Sequence, residues 1–346
     1  MKTASPSSEQ VKTGMWLGFV GVVIFAATLP MTKLAVGTAD TPQLSPWFVT
    51  FGRAVVAGVL SIIYLAWVFW RSQRLVQAVT SITSITSITS ITSITSITSK
   101  SESTALRWKL PSAKEWQLLA FTACGVVVGF PLFLSLALLY VPSTHGAVVT
   151  GLLPLTTAVI AALWFKQKPT LGFWLCAVLG TLLVLGFMLM RSQNGQGQWQ
   201  LQVADVYLVL AMLSASFGYI GGARLTPSLG AQRVICWVLV LSLPVTIAVA
   251  WINLPMNVAL IRITSWLAFG YVAVFSMWIG FFAWYRGLAL GGAVRVSQVQ
   301  LVQPFLSLFM AVPILGEKLD AMTLVFALAV IATVFVGKNM SVGATK

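Results

Sequence analysis

The sequence predicts an all-α, polytopic membrane protein of ten transmembrane helices. Three observations carry this. Of 346 residues, 58% are hydrophobic and only 8% are charged, against about 25% charged in a soluble domain. Mean hydropathy is +0.92. Apolar runs of membrane-crossing length recur from end to end, and a helix needs about 20 such residues to cross the hydrocarbon.

The first run, 14–36, is longer than the roughly 7–15 apolar residues of a signal-peptide core, so it reads as a retained helix. The further spans are expected at 46–70, 116–139, 144–165, 171–190, 203–222, 233–252, 265–285, 294–315 and 320–337. Pro42, Pro111, Pro142, Pro169 and Pro227 punctuate the connections. The span at 203–222 is the weakest, with Asp205 near its start and Gly221-Gly222 at its end.

Charge sets the orientation. With a cytoplasmic N-terminus, sixteen of the 21 Lys and Arg fall on the inside, and only Lys33, Arg191, Arg262 and Lys318 fall outside. Basic residues concentrate on the cytoplasmic side of membrane proteins. An even number of spans then places both termini in the cytoplasm. The net charge of +14 is scattered between apolar runs rather than gathered on one face, so no nucleic-acid partner is expected.

Residues 145–169 align with 295–319 without a gap after a shift of 150. Pro154 falls on Pro304, Thr157 on Ser307 and Lys168 on Lys318. Each segment precedes one more apolar helix. The chain therefore divides into five-helix halves, 1–190 and 200–346. Because five is odd, the halves are inverted in the membrane, as in secondary transporters that bind solute near the midplane.

The segments GLLPLTTAVIAALWFKQKPT (151–170) and VQPFLSLFMAVPILGEKLD (302–320) resemble the EamA-type branch of the drug/metabolite transporter superfamily. The Gly-Glu turn of that family is kept at Gly316-Glu317, while the first half carries Gln167 in its place. Arg53 matches the basic residue of the family's second helix. The resemblance spans nearly the whole chain outside 75–110. It implies transport of metabolites or amino acids, often outward, and it does not fix the substrate.

Between the second and third spans, Ser81–Thr98 is six copies of Ser-Ile-Thr. Its three-residue period fits neither helix nor strand. The insert at about 75–110 is expected to be a disordered loop.

Polar groups inside a bilayer are costly and mark function. Arg53 sits about seven residues into the second span, roughly 10 Å deep at 1.5 Å per residue. It reads either as a clamp for a carboxylate or phosphate or as a structural arginine, paired for instance with Asp40 or snorkelling. Gln300, Gln303 and Ser307 share one face of the ninth helix, with Thr150 and Thr157 at the equivalent places of Gln300 and Ser307 in the fourth. These two stripes either line a central cavity or bond helix to helix. Pro154 and Pro304 are expected to kink their helices beside them. His145, the single histidine, opens the fourth helix as a gate, a solute contact or a capped interfacial residue. Trp278 lies deep in the aromatic-rich eighth span and either meets an apolar solute or packs.

No acid lies mid-span. The cysteines Cys124, Cys176 and Cys236 have no metal-ligand spacing, and no P-loop or HExxH occurs. No enzyme activity, catalytic residue, metal or cofactor is expected. The expected function is a secondary transporter, exporting small organic metabolites by alternating access across a bacterial inner membrane. Its partners are a small solute and the lipid bilayer, and a homodimer is compatible with this. A non-transporting scaffold or a channel is the alternative.

Overall fold

The computed structural model describes residues 8–86, 110–164, 170–191, 202–291 and 297–339. Among them all regular structure is helical, and one isolated bridge joins Gly37 to Pro42. The segments Glu9–Val36, Pro46–Arg74, Ala113–Tyr140, Val203–Leu229, Ala231–Ile252 and Ile263–Gly287 are long and apolar enough to cross a bilayer. Trp174–Phe187, Gln303–Leu315 and Ala321–Thr333 are shorter apolar stretches. Outward faces carry large apolar side chains, with Leu175 62%, Leu267 68% and Phe309 66% exposed. So much apolar surface suits a lipid solvent and not water.

The first span is two helices, α1 (Ser8–Ala26) and α2 (Thr28–Val36), broken at Ala27. Pro30 has no N–H to return to the Ala26 carbonyl. Gly37, at φ 77°, then turns the chain. Helix α3 (Pro46–Thr86) starts with proline, whose fixed φ suits a first turn. At 41 residues it spans about 60 Å, twice the hydrocarbon thickness. It passes the expected end at 70 and runs into the first two Ser-Ile-Thr copies. The expectation of a loop from about 75 is therefore corrected over 75–86. Extending a formed helix adds one hydrogen bond per residue fixed, without a new nucleation cost. The remaining copies lie outside the described residues.

The third expected span is α4 (Ala113–Ala123), a π-helical stretch (Cys124–Gly129) and α5 (Phe130–Tyr140). Ser112 and Glu115 close α4 with a reciprocal capping box. The fourth is α6 (Ser143–Thr150) and α7 (Leu153–Trp164), broken at Gly151-Leu152 just before Pro154. Then come α8 (Leu171–Arg191), α9 (Val203–Leu229) and α10 (Ala231–Ile252). The segment expected to be weakest, at 203–222, is part of one 27-residue helix that carries Pro227 in its last turns instead of in a connection. The eighth span is α11 (Ile263–Tyr271), a second π-helical stretch (Val272–Ile279) and α12 (Gly280–Gly291). The ninth is a 3₁₀ stretch (Ser297–Val302) and α13 (Gln303–Leu315), which carries Pro304 at its start, and α14 (Ala321–Asn339) follows.

Helices from before residue 192 pack mainly on helices from after 201. The principal partners are α1 with α12, α3 with α10, α4 and α5 with α9, and α8 with α14. Glycine permits the closest approaches. A Cβ on Gly287 would lie 2.7 Å from the Gly18 amide nitrogen, and one on Gly125 would lie 2.5 Å from the Ser214 carbonyl oxygen. Small residues let backbones touch where no hydrophobic force between helices is available.

The buried apolar side chains form two clusters along the bundle. One gathers Leu29, Leu134, Leu138, Val149 and Leu208. The other gathers Phe25, Ala54, Val126, Leu239 and Phe281. Between them lies a polar waist.

Candidate functional site

A cavity of about 40 Å³ occupies the waist, walled by the broken α1–α2, α3, both π-helical stretches, α6–α7, α9, the 3₁₀ stretch and α13. Thr28, Arg53, Thr150, Tyr219, Ser276, Gln300, Gln303 and Ser307 supply its polar side chains, and Phe25, Phe130, Leu153, Met277 and Phe281 part of its apolar wall. Helix breaks bring this polarity inward. In a bilayer, irregular backbone is tolerated only where protein or a cavity surrounds it.

Arg53 is the dominant charge and is 2% exposed. Its Nη2 donates to the Ser276 hydroxyl at 3.3 Å and approaches the Met277 sulfur at 3.6 Å. Both partners sit in the second π-helical stretch, so two neighbouring residues serve one guanidinium. Ser276 also bonds the Thr28 hydroxyl at 2.8 Å. Thr28, Ser276 and Arg53 therefore form one chain across three helices. The Nε and Nη1 of Arg53 have no protein acceptor. Among the described residues no carboxylate pairs with it, and Asp40 stands exposed in the turn after α2. A buried guanidinium without a counter-ion is expensive, and its open N–H groups match a carboxylate or phosphate.

Around it the cavity carries acceptors as well as donors. The Gln303 side-chain carbonyl has no partner, and Gln300 lines the same wall. Ser307 donates to the Ala26 carbonyl at 2.8 Å, the group that Pro30 leaves free. Thr150 bonds back to the Gly146 carbonyl at 2.7 Å.

Five of the eight residues singled out from sequence thus meet at one cavity: Arg53, Thr150, Gln300, Gln303 and Ser307. Three do not line it. Thr157 donates to Ser216 on α9 at 3.0 Å. Trp278 packs against Phe282 and Tyr64, with ring centroids 4.8 and 6.4 Å away. His145 pairs with Asp205 at 2.8 Å and lies against the Phe187 ring. Sequence reasoning passed over Thr28 and Ser276. Each is a small polar residue inside an apolar run, a signal that mere helix packing also produces.

The class that fold and cavity define is a multi-pass membrane protein with a polar, charge-bearing chamber among apolar helices, and the comparisons make it a transporter and not an enzyme. The chain belongs to the EamA-like transporter family, whose model matches residues 12–189 and again 202–336. It is 36% identical over 330 residues to the uncharacterized transporter YdeK of Bacillus subtilis (strain 168), covering 95% of this chain and 98% of that one. A crystal structure of a protein 15% identical in sequence shares the fold, with a TM-score of 0.56 over 96% of this chain and 99% of that chain.

Proposed function

We propose that the protein is a secondary transporter that exports small organic metabolites, such as amino acids or related solutes, by alternating access. In this reading ten helices cross the bacterial inner membrane as two inverted halves, 1–190 and 200–346, with both termini cytoplasmic. The observation that carries the reading is Arg53, buried in the central cavity with two nitrogens open and no carboxylate partner. A solute carboxylate supplies the missing counter-charge, and the Gln303 carbonyl accepts from the ammonium of a zwitterion. Residues Arg53, Thr150, Gln300, Gln303 and Ser307 are the proposed contacts, while His145, Thr157 and Trp278 act outside the chamber.

Internal symmetry supports the two-half reading. The shift of 150 residues that aligns 145–169 with 295–319 also carries the first π-helical stretch to 274–279, inside the second one at Val272–Ile279. It carries the break at Gly151-Leu152 to the junction before Gln303. A Cβ on Gly151 would touch the Pro304 ring at 3.4 Å, so the two breaks face each other. The family model matching in two stretches fits the same division. Cavity size supports alternating access. About 40 Å³ holds a water or two, whereas small-molecule sites run to about 300 Å³ and above. A metabolite enters only when the helices part. Outward direction follows the general tendency of the family.

The test is flux in proteoliposomes. Labelled amino acids and small organic anions are compared for wild type and Arg53→Ala. Saturable exchange of one class, lost in the variant, supports the reading. Non-saturating conductance points to a channel, and no flux across the panel points to a scaffold.

A further inference from the structure

Three consecutive residues open α6, and acids from beyond residue 200 hold all three. The Glu317 carboxylate accepts from the Ser143 amide at 2.7 Å and from the Thr144 amide at 2.9 Å. Asp205 Oδ1 lies 2.8 Å from His145 Nε2, with both residues buried. Local structure fixes each acid. Gly316, in the left-handed conformation, ends α13 immediately before Glu317. Asp205 accepts from the Gln202 amide at the start of α9. The first amides of a helix have no partner within the helix and lie at its positive end, so a carboxylate is their favoured acceptor. Lys33 secures the neighbouring turn by donating to the Leu138 carbonyl.

The far end of α6 is Thr150, on the cavity wall. The helix is eight residues long, so the held amides stand roughly 10 Å from Thr150 at 1.5 Å per residue. Directly beyond Thr150 lies the break at Gly151-Leu152. α6 is therefore a short lever, with anchors at one end, the chamber at the other and a joint behind it.

We propose that Glu317 and Asp205 are the latch that keeps this end of the cavity shut, and that α6 swings on the Gly151-Leu152 joint when they let go. The proposal rests on the alternating-access reading. Glu317 and Asp205 are positioning residues: they act on the solute path through α6 and touch no solute.

The test reads sidedness. Cys124, Cys176 and Cys236 are replaced by Ala, and Thr150→Cys serves as reporter for a membrane-impermeant thiol reagent added to one face at a time. Met256→Cys, at a residue 93% exposed in the turn after α10, marks the face that carries the latch, because Arg262 and Ser265 just beyond bond to Gln43 and Leu34 at this end. Glu317→Gln keeps the shape and removes the charge. It raises labelling from the latch face by about tenfold, the scale of exchanging a charged for a neutral acceptor, and lowers labelling from the opposite face. Ser143→Pro deletes one donated N–H at a first-turn position that accepts proline and shifts labelling the same way with the acid intact. It carries the test if Glu317→Gln fails to fold. Labelling that stays as in wild type, or rises from both faces together as local unfolding predicts, overturns the latch. Wild-type flux is measured in parallel. A protein that labels from one side yet carries no solute fails the transport reading and not the latch.

Discussion

The Ser307 hydroxyl donates to the Ala26 carbonyl across 2.8 Å, joining α13 to the break between α1 and α2. The bond exists because Pro30, four residues after Ala26, cannot supply the amide that an unbroken helix would place there. One proline thus creates an acceptor, and a serine 281 residues away in sequence satisfies it.

Ser307→Ala leaves that buried carbonyl unpaired and should cost about 1–3 kcal/mol. Thermal unfolding in detergent or nanodiscs measures it. Pro30→Ala restores the local amide, so the Ser307→Ala cost should shrink in the double mutant. Equal costs in both backgrounds would show that the two residues are independent.

Arg53→Met should separate function from stability. It abolishes saturable flux, because no positive charge remains in the chamber to pair with the solute anion. It also leaves stability unchanged or raises it by about 1–4 kcal/mol, as when other buried charges give way to apolar residues of similar volume. Arg53→Lys keeps charge without the planar fork, so its flux should fall between wild type and Met. A destabilised, inactive Met variant would mean that the arginine supports the fold.

The two polar stripes should behave differently along their length. Gln303→Leu and Thr150→Val alter the chamber wall and should raise the KM for solute several-fold. Thr157→Val faces Ser216 on α9 instead and should leave KM within about twofold, with any effect confined to stability of the order of 1 kcal/mol. A KM shift in the Thr157 variant equal to that in the Thr150 variant would place Thr157 on the solute path.

Glycines at the helix crossings should tolerate a methyl group only where there is room. Gly125→Ala drives a Cβ to 2.5 Å from the Ser214 carbonyl oxygen and 2.8 Å from the Gly218 Cα. Overpacking of this kind costs about 1–3 kcal/mol. Gly186→Ala meets nothing nearer than the Phe326 ring at 3.8 Å, and its melting point should stay near that of wild type.

The site was legible where chemistry alone marks a residue. Arg53 and the glutamines are polar groups too large or too charged for an apolar run without a purpose. Geometry decided the rest. The ninth-helix stripe survived because a 3₁₀ turn has three residues, so Gln300 and Gln303 stay in line where it joins α13. The fourth-helix stripe was extrapolated through a straight helix, but the break at Gly151-Leu152 rotates Thr157 away from Thr150. His145 looked solitary because its partner Asp205, 60 residues on, becomes its neighbour only when α6 packs on α9. Helix α3 outran its expected end because hydropathy reports where lipid stops, and a helix does not have to stop there.

The crossing of α1 with α12 bears on biosynthesis. During translation the first helix is complete roughly 250 residues before its partner is made. At about 5–20 residues per second, Gly14 and Gly18 wait on the order of ten seconds or more in contact with lipid or the insertion machinery. The nascent first half therefore cannot finish its own core. Chain completion, rather than insertion of any one helix, is the event that commits this protein to its native arrangement.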